Sequence, residues 1–228
     1  MKQLLLRIPL LNRLIGYLYL KLKALVKPFK SSGDYWESRY QTGGNSGHGS
    51  YNDLCLFKAD VLNNFVAQQN IKTVIDFGCG DGNQLKFSRY PSYLGFDVSQ
   101  IVIEKCRTVF KEDHTKNFKP MSEYSNETAD LCLSLDVIYH LVEDDVFEKY
   151  MNFLFKSATQ YIIIYSSNTD KQQTIQAPHV KHRLFSEWIA THQPRWQLTE
   201  RIDNKYPYSV KHQTGSFADF YIYKNVAN

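Results

Sequence analysis

The sequence predicts a doubly wound α/β domain, with helices on both faces of a mostly parallel, seven-stranded sheet. Three observations carry this. Short apolar, β-branched runs alternate with amphipathic stretches along the middle of the chain, the pattern of parallel strands joined by crossover helices. The run "YIIIYSS" is apolar on both faces, as a central parallel strand must be. "VIDFGCGDGN" places a buried strand directly before a glycine-rich turn, where the backbone must bend sharply or approach a ligand closely.

The elements follow in order. Asp34 or Ser32 is placed to cap a short helix carrying Tyr35, Trp36 and Tyr40. A loop rich in glycine, "QTGGNSGHGS", comes next. Leu54, Phe57, Val61, Leu62 and Phe65 recur at helical spacing, and that helix ends near Asn70. Thr73–Phe77 reads as the first strand, with a glycine turn and a helix after it. "YLGFDVS" is a second strand ending at Asp97, and Ser99 caps the helix "QIVIEKCRTVF". "NFKPM" is a weakly marked third strand. Asp130–Leu135 is a fourth, running into a loop with Asp136, Tyr139 and His140. "DDVFEKYMNFLFKSA" is helical and "YIIIYSS" is the fifth strand. In the tail, "RLFSEWIATHQ" is a helix with Ser186 as a candidate cap. "RWQLTERID" and "FADFYIYK" alternate as a closing pair of strands.

Length and composition set the frame. A chain of 228 residues with 43% hydrophobic and 22% charged residues buries one substantial core. The four cysteines (Cys55, Cys79, Cys106, Cys132) form no C-x-x-C pair. They are expected as buried free thiols of a reducing compartment, not as disulfides or a zinc site. The net charge of +4 is unevenly placed. Residues 1–30 hold seven basic groups and no acid, leaving 20 basic and 23 acidic groups for the rest. The body is mildly acidic, so no nucleic-acid partner is expected.

Residues 1–30 are expected to form a basic amphipathic leader helix, and 31–228 the domain proper. The longest apolar run in the leader, Leu14–Leu20, is seven residues, far short of the roughly 20 that span a membrane. Arg7 and Arg13 interrupt the apolar stretch, and no small-residue cleavage site follows. Ile8, Leu11, Leu14, Ile15, Leu18, Leu22, Leu25 and Val26 share one helical face, with Arg13, Lys23 and Lys27 opposite. Two readings fit: an interfacial helix on an anionic membrane surface, or a helix packed on protein. The expected location is the cytoplasm, peripheral to the membrane on the first reading.

The chemistry concentrates around "VIDFGCGDGN". Gly78, Gly80 and Gly82 follow a G-x-G-x-G spacing, with Asn83 where a dinucleotide fingerprint has its third glycine. This disfavours a nicotinamide-dependent oxidoreductase. Asp97, at the end of the next strand, is placed to accept hydrogen bonds from ribose hydroxyls. The upstream loop has no preceding strand and no Gly-Lys-Ser/Thr, which rejects a Walker-type phosphate loop.

On "VIDFGCGDG" and "YLGFDVS", the sequence resembles the class I S-adenosylmethionine-dependent methyltransferases over about residues 70–170. The resemblance implies S-adenosylmethionine as cofactor. It assigns Asp76 to the methionine ammonium, Gly78, Gly80 and Gly82 to the wrap around the methionine part, and Asp97 to the ribose. It puts "ADLCLSLDVIYHL" beneath the transferred methyl and implies an antiparallel seventh strand, supplied by "FADFYIYK". Met121, and beside it Ser122, are placed for the adenine. "YWESRYQTGGNSGHGSY" is similar to bacterial methyltransferases of surface-polysaccharide or glycan synthesis. It implies a lid in which Trp36, Arg39 and Tyr40 close on the cofactor, with Gly44 in the flexible margin Gly43–Ser50.

The expected reaction is methyl transfer to an oxygen or nitrogen of a small-molecule, sugar or glycolipid acceptor. The alternative is a non-catalytic protein that keeps the cofactor pocket. Asp136, His140 and His182 are the candidate catalytic bases, with His179 and Arg183 near the acceptor. "SLDV" lacks the Asn/Asp-Pro-Pro-Tyr/Phe of amino-group methylases and the Pro-Cys of cytosine C5 attack. No carboxylate cluster for a metal is apparent.

Overall fold

The computed structural model describes residues 29–173, 176–209 and 214–227. The expected leader helix therefore lies outside the described residues. Among those residues no helix is long and apolar enough to cross a membrane.

Seven strands form one sheet: β1 Thr73–Phe77, β2 Ser92–Asp97, β3 Lys116–Pro120, β4 Ala129–Leu135, β5 Ala158–Ser166, β6 Trp196–Ile202 and β7 Asp219–Asn225. Their order is β3-β2-β1-β4-β5-β7-β6. The first five pair in parallel, and β7 inserts antiparallel between β5 and β6. The helices among the described residues are α1 Ser32–Gln41, α2 Asn52–Gln68, α3 Gln100–Val109, α4 Asp144–Ser157 and α5 Phe185–His192.

Alternation along the strands divides the core in two. Val74, Leu131, Leu133, Ile163 and Phe220 face α2 and α3, where Leu62, Phe65, Val66, Ile103 and Cys106 complete one buried layer. Ile75, Phe77, Cys132, Ile162 and Ile164 face α4 and α5, packing with Met151, Leu154, Phe155, Phe185 and Ile189. Central strands covered on both faces have no solvent side, so they read as continuous apolar runs. All four cysteines are buried free thiols.

The strand order reverses between β1 and β4. Crossovers leave in opposite directions there, and a crevice opens beyond the carboxyl ends of the strands.

Three local details differ from the sequence reading. Ser31, not Ser32 or Asp34, caps α1, its Oγ accepting from the Asp34 amide at 3.0 Å. Ser32 lies inside the helix and ties it to the start of α4: its amide and hydroxyl donate to the two Glu143 oxygens at 2.9 and 2.6 Å. The glycine turn leads only into a 3-10 turn, Gln84–Phe87. Pro91 stands just before β2, and the residue before a proline is held out of the helical region. Ser186 does not cap α5. Asn168, just after β5, does so from outside, its Oδ1 accepting from the Ser186 amide at 3.2 Å.

Candidate active site

A cleft with about 900 Å³ of empty space, continuous with solvent, opens at the strand-order reversal. Its floor is the carboxyl end of β1, β2 and β4: Asp76, Gly78–Gly80, Asp97, Val98 and Leu135–Val137. Its roof is α1, through Ser32, Gly33, Trp36 and Tyr40. Ser46 and Ser50 of the glycine-rich loop, Met121, His140 and Tyr150 close the sides.

The glycine turn is built for close approach. Gly78 has φ +93° and Gly80 φ +57°, backbone that side chains rarely adopt. A Cβ on Gly78 would collide with Val137, and one on Gly80 with Ser46. Gly82 also has positive φ. It lies away from the cleft, where a Cβ would strike Phe110.

Asp76 and Asp97 flank this turn. Asp76 is buried, its Oδ2 accepts from the Tyr93 hydroxyl at 3.0 Å, and its Oδ1 has no partner. Burial pushes its pKa up to about 7 against the Tyr93 hydrogen bond and the charge of Lys58, with Asp97 adding to the rise. Asp97 accepts backbone N–H groups from Gly80 and Ser99, each at 3.0 Å. Burial raises its pKa to about 6; these backbone donors oppose the rise, and the negative charge of Glu37 on α1 adds to it.

Asp136 is held on all sides in a left-handed conformation, φ +60°. Its Oδ2 pairs with Lys58 Nζ at 2.6 Å, its Oδ1 accepts from the Tyr139 hydroxyl at 2.7 Å, and its amide donates to the Tyr165 carbonyl at 2.8 Å. Lys58 is only 1% exposed and lies over the Tyr165 ring. Sequence reasoning missed this lysine. Its signal was position, since Lys58 falls four residues after Leu54 and four before Leu62, on the buried stripe of α2.

His140 packs edge-on to Trp36 and stacks on His179, which stacks on Tyr35 at 4.0 Å between centroids. Its Nδ1 lies 3.0 Å from the His179 carbonyl oxygen. A carbonyl only accepts, so Nδ1 carries the proton and Nε2 keeps its lone pair. Burial lowers the His140 pKa to about 4, against the opposing effects of that hydrogen bond and of Asp136.

The structure brings together Trp36, Asp76, Gly78, Gly80, Asp97, Met121, Asp136 and His140. It does not bring in the others. His182 stands outside the cleft wall, buried, with Nδ1 2.8 Å from Ser167 Oγ and an edge contact to Phe217. The expectation that it joins Asp136 and His140 in one set is not met. Arg39 donates from Nε to the Asn45 carbonyl at 2.6 Å and lies against Trp36, so it holds the loop and does not line the cleft. Gly44 packs on the Arg39 backbone, where a Cβ would not fit. Ser122 is exposed outside the wall. Arg183 is taken up by Asp144 at 2.7 Å and by the Leu141–Glu143 carbonyls, so it clamps the chain before α4 and is not free for an acceptor. Among the described residues no group of three or more His, Cys, Asp or Glu could hold a metal ion.

Solved structures share this fold. The N-methyltransferase NodS from Bradyrhizobium japonicum WM9, in complex with S-adenosyl-L-homocysteine, aligns over 86% of this chain and 99% of its own with TM-score 0.63 and 14% identity. Magnesium protoporphyrin IX methyltransferase from Synechocystis PCC 6803, with bound S-adenosylmethionine, aligns over 87% and 99% with TM-score 0.59 and 14% identity. An S-adenosylmethionine-dependent methyltransferase from Clostridium acetobutylicum ATCC 824 aligns over 73% and 89% with TM-score 0.53 and 13% identity. At these identities the likeness is one of fold. No curated protein sequence matches the chain. The methyltransferase-domain family matches residues 51–200, from the start of α2 through most of β6. By that match the chain belongs to the methyltransferase-domain family.

Proposed function

We propose that the chain moves the methyl group of S-adenosylmethionine to an oxygen or nitrogen of a small-molecule, sugar or glycolipid acceptor. One observation carries the cofactor assignment. Asp76 Oδ1 is buried without a partner in the same cleft as Asp97, across a turn that admits no side chain. An orphaned buried carboxylate oxygen is costly unless a ligand supplies a donor. The residues fit this cofactor: Asp76 for its ammonium, Asp97 for its ribose, Gly78–Gly80 for close backbone approach, and Val98 and Met121 as apolar walls.

When bound, the cofactor supplies a methyl carbon on a sulfonium, already a good leaving group. What is left to the protein is alignment and exclusion of water. Trp36 and Tyr40 roof the cleft and narrow its access to solvent. Asp136 is engaged by Lys58 and Tyr139 and orients them, and proton removal falls to the free lone pair of His140. His140, neutral at physiological pH, takes the proton of a hydroxyl acceptor at Nε2.

The glycan or glycolipid acceptor rests on the lid sequence and on the basic leader. Pro28 is followed within four residues by Ser32, which lines the cleft. A leader resting on an anionic membrane surface would hold the cleft mouth beside a membrane-borne acceptor.

Calorimetric titration with S-adenosylmethionine, S-adenosylhomocysteine and NAD tests the reading. Micromolar binding of the first two and none of the third is expected. Binding of NAD alone, or of none, overturns it.

A further inference from the structure

Glu37 belongs to none of the roles above, yet its placement asks for a ligand. On α1, Gly33, Trp36 and Tyr40 line the cleft. Glu37 lies four residues after Gly33 and three before Tyr40, on the same helical face. Its Oε2 is buried and has no hydrogen-bond partner. Among the described residues no lysine, arginine or histidine forms an ion pair with it.

Across from it is Asp97, near enough to feel the Glu37 charge. Each Asp97 oxygen accepts one backbone N–H, and a carboxylate oxygen has room for a second donor. Two carboxylates thus stand close together at the cleft, Asp97 in its lining and Glu37 on the lid helix beside the lining residues Gly33, Trp36 and Tyr40, and among the described residues neither forms an ion pair. A ligand seated there must bring hydrogen-bond donors. It must bring at least two to satisfy both acids, and they must sit side by side.

We propose that Glu37 is a cofactor-contacting residue carried by the lid helix, and that it and Asp97 each accept one hydroxyl of the cofactor's vicinal diol. This rests on the S-adenosylmethionine reading above and extends it from the floor of the cleft to its roof. It gives the lid a direct grip on the cofactor, so that α1 senses whether the cleft is filled.

The test is calorimetry on the full chain, using S-adenosylhomocysteine and its 2′-deoxy and 3′-deoxy analogues, with wild type, Glu37→Gln and Glu37→Ala. Thermal melting of each variant shows that it is folded. Glu37→Ala is expected to weaken S-adenosylhomocysteine about tenfold or more, as loss of a hydrogen bond to a charged group does. For one of the two analogues, the penalty for the missing hydroxyl should disappear in Glu37→Ala and shrink in Glu37→Gln. Affinity within twofold of wild type in Glu37→Ala, or hydroxyl penalties equal in all three proteins, overturns the role of Glu37 and leaves the cofactor reading standing. A wild type that binds none of the three compounds overturns the cofactor reading and this one with it.

Discussion

Ser46 and Asp81 hold each other across 35 residues of sequence: the Ser46 amide donates to Asp81 Oδ2 at 3.2 Å, and the Asp81 amide donates to Ser46 Oγ at 2.7 Å. The Tyr51 hydroxyl donates to the same Oδ2 at 2.6 Å, and Asn83 Nδ2 donates to the Ser50 carbonyl at 2.8 Å. The glycine-rich loop before the first strand is thereby fastened to the glycine turn after it. The loop forms the cleft side over the turn through Ser46 and Ser50.

Removing this clasp should loosen the cleft without unfolding the sheet. Ser46→Ala is expected to cost about 1 kcal/mol, the usual net worth of a hydrogen bond. Asp81→Ala should cost more, since it strands the Tyr51 hydroxyl and the Ser46 amide. Both should speed protease cleavage within residues 43–50 and weaken S-adenosylhomocysteine binding. Burial raises the Asp81 pKa, but the donors from Tyr51, Ser46 and Asn83 outweigh it and the net shift is downward. The clasp is then fully stabilising above the ordinary carboxylate pKa near 4 and is lost as pH falls below it. Unchanged proteolysis in Asp81→Ala would show that the loop is held by other contacts.

Asp76 predicts a proton released on binding. With a pKa near 7, it is about half protonated at neutral pH before the cofactor binds. A cationic ammonium against Oδ1 favours the charged form and drives the proton off. Affinity for S-adenosylmethionine should therefore fall as pH drops below 7, by up to about tenfold per unit. Binding heats at pH 7 should differ between buffers of different ionisation enthalpy. The sign for folding is opposite to that of Asp81. The folded state holds the Asp76 proton up to about 7, the unfolded state only to about 4, so the empty protein loses stability as pH rises through that window. Asp76→Asn should flatten this slope and abolish tight binding. Buffer-independent heats would remove Asp76 from the ammonium site.

Lys58 and Asp136 form a nearly buried pair at 2.6 Å. Taking one partner away leaves the other charge uncompensated, typically at 3–5 kcal/mol. Lys58→Met should destabilise by about 3 kcal/mol, and Lys58→Met with Asp136→Asn should recover part of the loss. Chemical denaturation of the two singles and the double measures the coupling. Additive effects would mean that the pair adds nothing beyond its separate residues.

Much of this architecture was legible in the sequence because it depends on local patterns. The parallel strands announce themselves as short apolar runs; β7 reads as an alternating, more exposed strand, but Phe220–Tyr223 are buried in succession because β7 lies between β5 and β6. Asp76 and Asp97 were readable from their position relative to a strand end and a glycine turn. What escaped reading depends on contacts distant in sequence. Lys58 is one charged residue on an apolar stripe, and only Asp136, 78 residues later, explains it. Arg183 looked available because nothing local shows that the Leu141–Glu143 carbonyls claim it. His182 shared a segment with His179, but Ser167 draws it behind the wall while the Tyr35 and His140 rings flank His179. The missing helix after the glycine turn reflects the few residues between Gly82 and Pro91, too short a stretch for stable α-helix.

His140 gives the prediction closest to the chemistry. Its Nδ1 proton is committed to the His179 carbonyl, and burial holds its pKa near 4. The ring is thus a neutral base throughout the assay range, and no His140 limb should appear in the rate profile between pH 5 and 8. An acid limb near 7, if seen, should belong to Asp76 and appear in kcat/KM for the cofactor. His140→Ala should lower kcat for a hydroxyl acceptor by about 10²–10⁴, the usual worth of a positioned base, with cofactor affinity unchanged. Stability carries the same signature. The unfolded ring takes up a proton near 6.5 and the folded ring near 4, so the stability that His140 contributes is complete above 6.5 and lost as pH falls toward 4. A limb at about 6.5 that vanishes in His140→Ala would show a ring titrating as if exposed, and the stack of Tyr35, His179 and His140 would then not shield that ring from solvent.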